Sequence, residues 1–208
     1  MRKRVAGIVL AAGEGRRMGK LKQSLPVRGK SMLETVVDKA LASSLHRVVV
    51  VLGYHADRLA PLLSNRPVTV VINRDYREGQ ASSLKAGLRE LTPESDAALF
   101  LLGDQPLVSS ETLDGILVAY QRMNAPIIAP IYGGKRGNPV LLGRELFPLV
   151  EDLKGDTGAR GILAGHRDML FSLPVADPKI LFDVDTEEDY RCLLEIEQDE
   201  DRLRETNY

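Results

Sequence analysis

The sequence of 208 residues predicts an α/β fold, doubly wound around a mostly parallel sheet, with a small β excursion in its second half. Short runs, apolar at nearly every position, recur at Val5–Leu10, Val48–Leu52, Val68–Ile72 and Ala97–Leu102. Such runs suit parallel strands buried on both faces. Between them lie Ser31–Ser43, His55–Leu63 and Gln80–Leu91, with apolar residues spaced near three and four. Strands alternating with helices of this length indicate βαβ units, with right-handed crossovers. After Pro106 the rhythm changes. Thr112–Met123 reads as a helix, and Pro126–Ile131 and Pro139–Leu142 read as strands flanking Gly-Gly-Lys-Arg-Gly-Asn. Two more apolar segments, Met169–Leu173 and Ile180–Val184, precede a last helix from about Thr186 to Ile196. The expected organisation is one domain over residues 1–196 and a charged, frayed tail over 197–208.

Composition narrows the function classes. Hydrophobic residues at 44% and charged residues at 27% suit a globular chain. A formal net charge of -1 provides no global basic field for nucleic acid. The single cysteine, Cys192, leaves no internal disulfide and no cysteine zinc site, and fits a cytoplasmic location. Arg2-Lys3-Arg4 before Val5–Ala12 resembles a short signal peptide, but cleavage there would remove the first core strand. No apolar run approaches the roughly 18 residues of a membrane span.

The first strand opens into Gly13-Glu14-Gly15-Arg16-Arg17-Met18-Gly19-Lys20-Leu21-Lys22. The loop is rich in glycine and cations, yet it fits neither common phosphate template. Gly13 leads to Gly19-Lys20 across five residues and Gly15 does so across three, where the Walker form needs four. The dinucleotide pattern needs a glycine where Met18 stands.

In an open parallel sheet, ligands bind beyond the carboxyl ends of the strands. Two further polar motifs follow apolar runs: Gly103-Asp104-Gln105-Pro106, and Asp183-Val184-Asp185-Thr186. Their chemistry complements the opening loop. Glycines admit phosphate oxygens to backbone N–H groups, and Arg17, Lys20 and Lys22 offset phosphate charge. Carboxylates suit Mg²⁺, which binds few of them and keeps phosphate oxygens and water as its other ligands. The residues therefore point to Mg²⁺–nucleoside-triphosphate chemistry. Ordinary structural roles stand beside each reading. Asp104 before Pro106 also suits a type I turn, and Asp185 with Glu188 also reads as a helix capping box. His46, His55 and His166 lack ligand spacing.

"LAAGEGRRMGKLKQSLP", "YREGQASSLKAGL", "LLGDQPLV", "GKRGNPVLL", "GDTGARGIL" and "DVDTEEDY" together resemble the MobA-like nucleotidyltransferases, in order from about Val5 to Tyr190. The resemblance is nearest to the molybdenum cofactor cytidylyltransferase branch and implies a Rossmann-like nucleotidyltransferase fold. It implies transfer of CMP from CTP to molybdopterin, with release of pyrophosphate. The alternatives are guanylyl transfer to the same cofactor and nucleotidyl transfer to a sugar or polyol phosphate. Arg17 and Lys22 match the family's triphosphate contacts. Leu10, Ala11, Ala12 and Gly13, with Gly15, match its base-reading loop, where the guanylyltransferase branch carries Leu-Ala-Gly-Gly. Ser82 and Ser83 match a loop closing over the nucleoside, although either also suits a helix cap.

Asp104 matches the principal Mg²⁺ ligand and Asp185 the second, with Asp183 as runner-up. Gly137, Asn138 and Pro139, with Gly155, Asp156 and Arg160, resemble the acceptor side. There Asn138 also suits a hairpin turn, and Asp156 or Thr157 a helix cap. The resemblance further implies delivery of the product to the apo-form of a molybdenum hydroxylase.

Overall fold

The computed structural model describes residues 2–15, 18–123 and 125–206, with side chains as far as Arg202. Strand β1 (Val5–Ala11) is followed by a small hairpin, β2 (Pro26–Val27) and β3 (Lys30–Ser31), and by helix α1 (Met32–Ala42). Then come β4 (Arg47–Leu52), the short α2 (Ala56–Leu59), β5 (Thr69–Ile72), α3 (Gln80–Arg89), β6 (Ala97–Leu102) and α4 (Ser110–Arg122). The second half supplies β7 (Ile127–Tyr132), β8 (Lys135–Arg136), β9 (Val140–Gly143), α5 (Phe147–Glu151), α6 (Ala159–Gly165), β10 (Leu170–Pro174) and α7 (Glu187–Thr206).

The main sheet runs β10-β7-β9-β6-β1-β4-β5, with β8 beside β7. β1 lies in its interior, parallel to β4 and β6, so Val9 faces Val50 on one side and Leu101 on the other. The stretch that resembles a signal peptide is therefore a central strand. β9 runs antiparallel to its neighbours and joins β6 to β7, and β8 is antiparallel to β7. Successive side chains along a strand point to opposite faces, and β1 feeds two cores. Val9 packs with Leu33, Val37 and Ile116 on the α1 and α4 face. Ile8 packs with Leu84, Leu88 and Ile162 on the α3 and α6 face. The capping box of Ser31 with Glu34 fixes where α1 begins.

Three expectations change in the structure. β5 is apolar at nearly every position yet forms an edge, leaving Ile72 59% exposed. Ile180–Val184 forms no strand. Pro178–Leu181 is a 3₁₀ turn, the Ile180 carbonyl accepts from Asn138 N–H, and Val184 N–H donates to the Asp104 carbonyl. Ile180 and Val184 are buried plugs rather than rungs of a sheet, and Leu181 and Phe182 are half-buried. The last helix also continues past Ile196 to Thr206. Arg28 and Lys179 neutralise Glu197 and Glu200 there, so the acidic run is held against the body of the protein.

Candidate active site

The carboxyl ends of β1 and β6 open beneath two adjoining hollows. The first, of about 540 Å³, is lined by Ala12, Gly13, Gly15, Lys22, Tyr76, Ser83 and neighbours. The second, of about 360 Å³, is lined by Asn138, Asp156, Thr157, Arg160, Asp183 and the apolar Phe100 and Val140. Leu10, Gln80, Leu102, Asp104, Asp156 and Asp185 line both. These residues form a partition between two compartments.

Lys22 sits at that partition. Its side chain is 8% exposed. Nζ donates to Asp104 Oδ2 at 2.6 Å, to Asp185 Oδ1 at 3.0 Å and to the Val184 carbonyl at 3.1 Å. An ammonium has three N–H donors, and all three find acceptors here. Burial pulls the Lys22 pKa down, but the charges and hydrogen bonds of Asp104 and Asp185 outweigh it, and the net shift is upward. Asp183 lies beside the pair. Burial raises its carboxyl pKa and the Asp104 charge raises it further, while a hydrogen bond from Gln105 Nε2 at 2.5 Å opposes both.

The α7 cap is shifted by one residue from the sequence expectation. Thr186 Oγ1 accepts from Asp189 N–H at 3.1 Å, and Asp189 Oδ2 accepts from Thr186 N–H at 2.8 Å. The box is thus Thr186 with Asp189 rather than Asp185 with Glu188, and the Asp185 carboxylate reaches Lys22. Similarly, α6 begins at Gly158 with no side-chain cap. Asp156 and Thr157 are therefore not helix caps, and both line the second compartment.

Most residues singled out in the sequence converge on these hollows, with defined exceptions. Leu10, Ala12, Gly13, Gly15, Lys22, Ser83 and Asp104 line the first. Ala11 points to the opposite face of β1 and packs in the α1-side core. Ser82 faces a separate hollow behind α3. Neither serine caps α3. Both accept from Asn73 Nδ2, at 2.8 Å for Ser82 and 3.1 Å for Ser83, tying α3 to the end of β5. Of the acceptor group, Asn138, Asp156 and Arg160 line the second compartment, and Gly137, Pro139 and Gly155 do not. Gly155 docks the loop instead, its carbonyl accepting from Ala81 N–H at 3.0 Å. A Cβ on Gly79 would lie 2.3 Å from the Gly155 carbonyl carbon, so only glycine permits this approach. Arg17 lies outside the described residues.

Sequence reasoning passed over Glu14, Gln23, Tyr76 and Arg77, which also line the first compartment. A 3₁₀ turn at Tyr76–Glu78 brings Tyr76 and Arg77 to the rim. Gln23 is 3% exposed, and its Oε1 has no hydrogen-bond partner among the described residues.

Residues 7–170 match the model of the MobA-like NTP transferase domain. The chain belongs to that family. Among its relatives, the nicotine blue oxidoreductase of Paenarthrobacter nicotinovorans is 32% identical, covering 91% of this chain and 96% of that protein. The molybdenum cofactor cytidylyltransferase of Escherichia coli (strain K12) is 27% identical, covering 88% and 92%. The crystal structure of Rv0371C complex with manganese, from Mycobacterium tuberculosis H37Rv, has a TM-score of 0.80 at 30% identity, covering 93% and 99%. The sheet with flanking helices is shared with that solved structure, and the chain is a MobA-like nucleotidyltransferase.

Proposed function

We propose that this nucleotidyltransferase moves CMP from CTP to the terminal phosphate of molybdopterin, releasing pyrophosphate. The observation that carries the reading is the Lys22 ammonium held between Asp104 and Asp185, on a partition separating two compartments. Bound triphosphate fits the first compartment, against the glycines of the opening loop. The second combines an apolar wall at Phe100 and Val140 with the polar Asn138, Asp156 and Arg160, a lining suited to a flat polar ring.

The acidic pair fits Mg²⁺. Two carboxylates already share one cation, Lys22, and Mg²⁺ needs only one or two carboxylates beside phosphate oxygens. Asp104 and Asp185 would hold the ion, which when bound neutralises charge on the triphosphate. The relative crystallised with manganese supports a divalent site in this fold. Lys22, released from the carboxylates, would offset charge on the departing pyrophosphate, a role that the family resemblance also gives to Arg17. The acceptor phosphate is ionised near pH 7, so attack at the α-phosphorus needs no general base. The partition supplies orientation, placing the two substrates on opposite sides of the reacting bond.

Ala12 lines the first compartment with its methyl group packed towards Gly53. It narrows the space beside the base, favouring cytosine over guanine by about 1–3 kcal/mol. The related cytidylyltransferase supports this choice. Guanylyl transfer to the same cofactor and nucleotidyl transfer to a sugar or polyol phosphate retain the same donor chemistry. Delivery of the product to an apo-molybdenum hydroxylase would follow from the same acceptor.

The deciding assay is pyrophosphate release with Mg²⁺ and molybdenum cofactor, comparing CTP, GTP, ATP and UTP. Release with CTP supports the proposal, and release with GTP alone overturns the base assignment. The relative named an oxidoreductase supplies a second reading, redox chemistry, which we would test with a reduced nicotinamide as the electron donor. Nicotinamide oxidation without Mg²⁺, and no pyrophosphate with any triphosphate, would favour it.

A further inference from the structure

We propose that the ion pair of Arg28 with the buried Glu197 carboxylate fastens the three site-bearing segments together, so that the second half of α7 positions Lys22, Asp104 and Asp185. Residues 197–201 line neither compartment. This inference deepens the nucleotidyl-transfer reading and rests on it for its kinetic consequences.

A small third core lies behind the site. It contains Met18 from the opening loop, Val27 and Met32 from the hairpin and α1, Leu107 just past Asp104, Val184 beside Asp185, and Leu193 from α7. Each site-bearing segment therefore places one apolar side chain in the same cluster. Cores are close-packed, so a shift of one member is felt by the others.

A ring of polar contacts closes over that core. Arg28 Nη2 donates to the Glu197 carbonyl at 2.7 Å, and Arg28 Nε pairs with the Glu197 carboxylate. The same guanidinium reaches Asp201 at 3.1 Å and Glu200 at 3.4 Å. Lys179 pairs with Glu200, and Tyr190 OH donates to the Pro26 carbonyl at 2.6 Å. On the other side, Lys39 Nζ donates to the Pro106 carbonyl at 2.5 Å, two residues past Asp104. Burial lowers the Lys39 pKa, and the negative charges of Glu197 and Glu200 oppose that shift.

Glu197 is the centre of this arrangement. Its side chain is 6% exposed, and it lines neither compartment. A carboxylate buried this deeply is stable only while its cation stays in place. Arg28 follows Lys22 through the hairpin, Lys39 holds the Asp104 loop, and α7 begins just past Asp185. The acidic end of α7 therefore bears on all three approaches to the partition.

The test uses the full chain carrying Glu197→Gln or Glu200→Gln. Asp199→Asn, on the exposed side of the same helix, is the control, and Arg28→Lys and Arg28→Gln form a rescue pair. Measurements are the melting temperature, the separate kcat and KM for CTP with Mg²⁺ and acceptor, and amide hydrogen exchange. In the Glu197 and Arg28→Gln variants, exchange should quicken together over residues 18–31, 104–108 and 184–190. Their kcat/KM should fall about 10- to 100-fold, the scale of a displacement near 1 Å at a reacting centre. Glu200→Gln, with a less buried carboxylate, should show the same pattern more weakly. Arg28→Lys should retain more activity and protection than Arg28→Gln, and Asp199→Asn should match the wild type.

A lower melting temperature with unchanged kcat/KM and unchanged exchange at the three segments would overturn the proposal, leaving only a structural role. An equal effect from Asp199→Asn would overturn it too. If the wild type released no pyrophosphate with any triphosphate, the functional reading would fail, and the exchange measurements would still decide the fastening.

Discussion

Lys22 donates from Nζ to Oδ2 of Asp104 across 2.6 Å, although 82 positions separate the two residues in the chain. The contact joins the loop after β1 to the loop after β6, adjacent parallel strands whose ends lie side by side. Asp104 thereby favours the charged form of Lys22. Asp104→Asn should reduce pyrophosphate release by at least about 100-fold, the scale of removing one transition-state charge partner. It should also lower stability by about 1–3 kcal/mol, because Lys22 keeps Asp185 but loses its shorter bond. Kinetics paired with urea unfolding measure both. Full activity in the variant would remove Asp104 from the mechanism.

Gly53 tests how closely the opening loop is seated. A Cβ there would come within 2.6 Å of Tyr76 Cβ and 2.9 Å of both Ala12 Cβ and the Ala12 carbonyl oxygen. Gly53→Ala should therefore cost about 1–3 kcal/mol of stability by overpacking. Because Tyr76 and Ala12 both line the first compartment, nucleotide affinity should fall as well. Calorimetric titration with Mg²⁺ and CTP, beside thermal unfolding, distinguishes the two losses.

Ala12→Gly removes a single methyl from the cleft wall. The preference between CTP and GTP should shift towards GTP by no more than about 200-fold in kcat/KM ratio, the limit for one small apolar group. Competition between the two triphosphates in one reaction measures that ratio directly. An unchanged ratio would move base recognition to other residues of the first compartment, such as Gln23 or Tyr76.

The acid limb of stability should centre on Arg66. For Glu34 and Asp38, burial raises the carboxyl pKa. Hydrogen bonds from Ser31 and the Arg66 charge outweigh it at Glu34, and Arg66 with Lys30 outweighs it at Asp38. Both folded values therefore fall below the ordinary 4.5 and 3.8. Their contribution is present above those ordinary values and is lost as pH falls through the lower folded ones. Urea unfolding of wild type and Arg66→Met from pH 6 to pH 2 should show a stability gap that closes on the acid side.

The sheet was legible because β1, β4 and β6 are apolar on both faces, and each ends at a glycine or a polar turn. The motifs at the ends of β1 and β6 could be located for the same reason. Hydrophobicity alone misplaced Ile180–Val184, since a buried segment that exchanges single backbone bonds with Asn138 and Asp104 is as apolar as a strand. Capping pattern misplaced the α7 start by one residue because Asp185-Thr186-Glu187-Glu188-Asp189 offers two overlapping boxes. Only the fold decides between them, by giving the Asp185 carboxylate to Lys22. The charged end of α7 read as a tail because its partners, Arg28 and Lys179, stand elsewhere in the chain.

The two compartments have a common wall and private outer walls. Leu10, Gln80, Leu102, Asp104, Asp156 and Asp185 face both hollows, so a change at any of them alters the two hollows together. Gly13, Tyr76 and Arg77 face only the first hollow, and Asn138, Thr157 and Arg160 face only the second. One hollow can therefore be reshaped by rebuilding a single outer wall while the shared centre stays fixed. The molecule is modular at its periphery and indivisible at its middle.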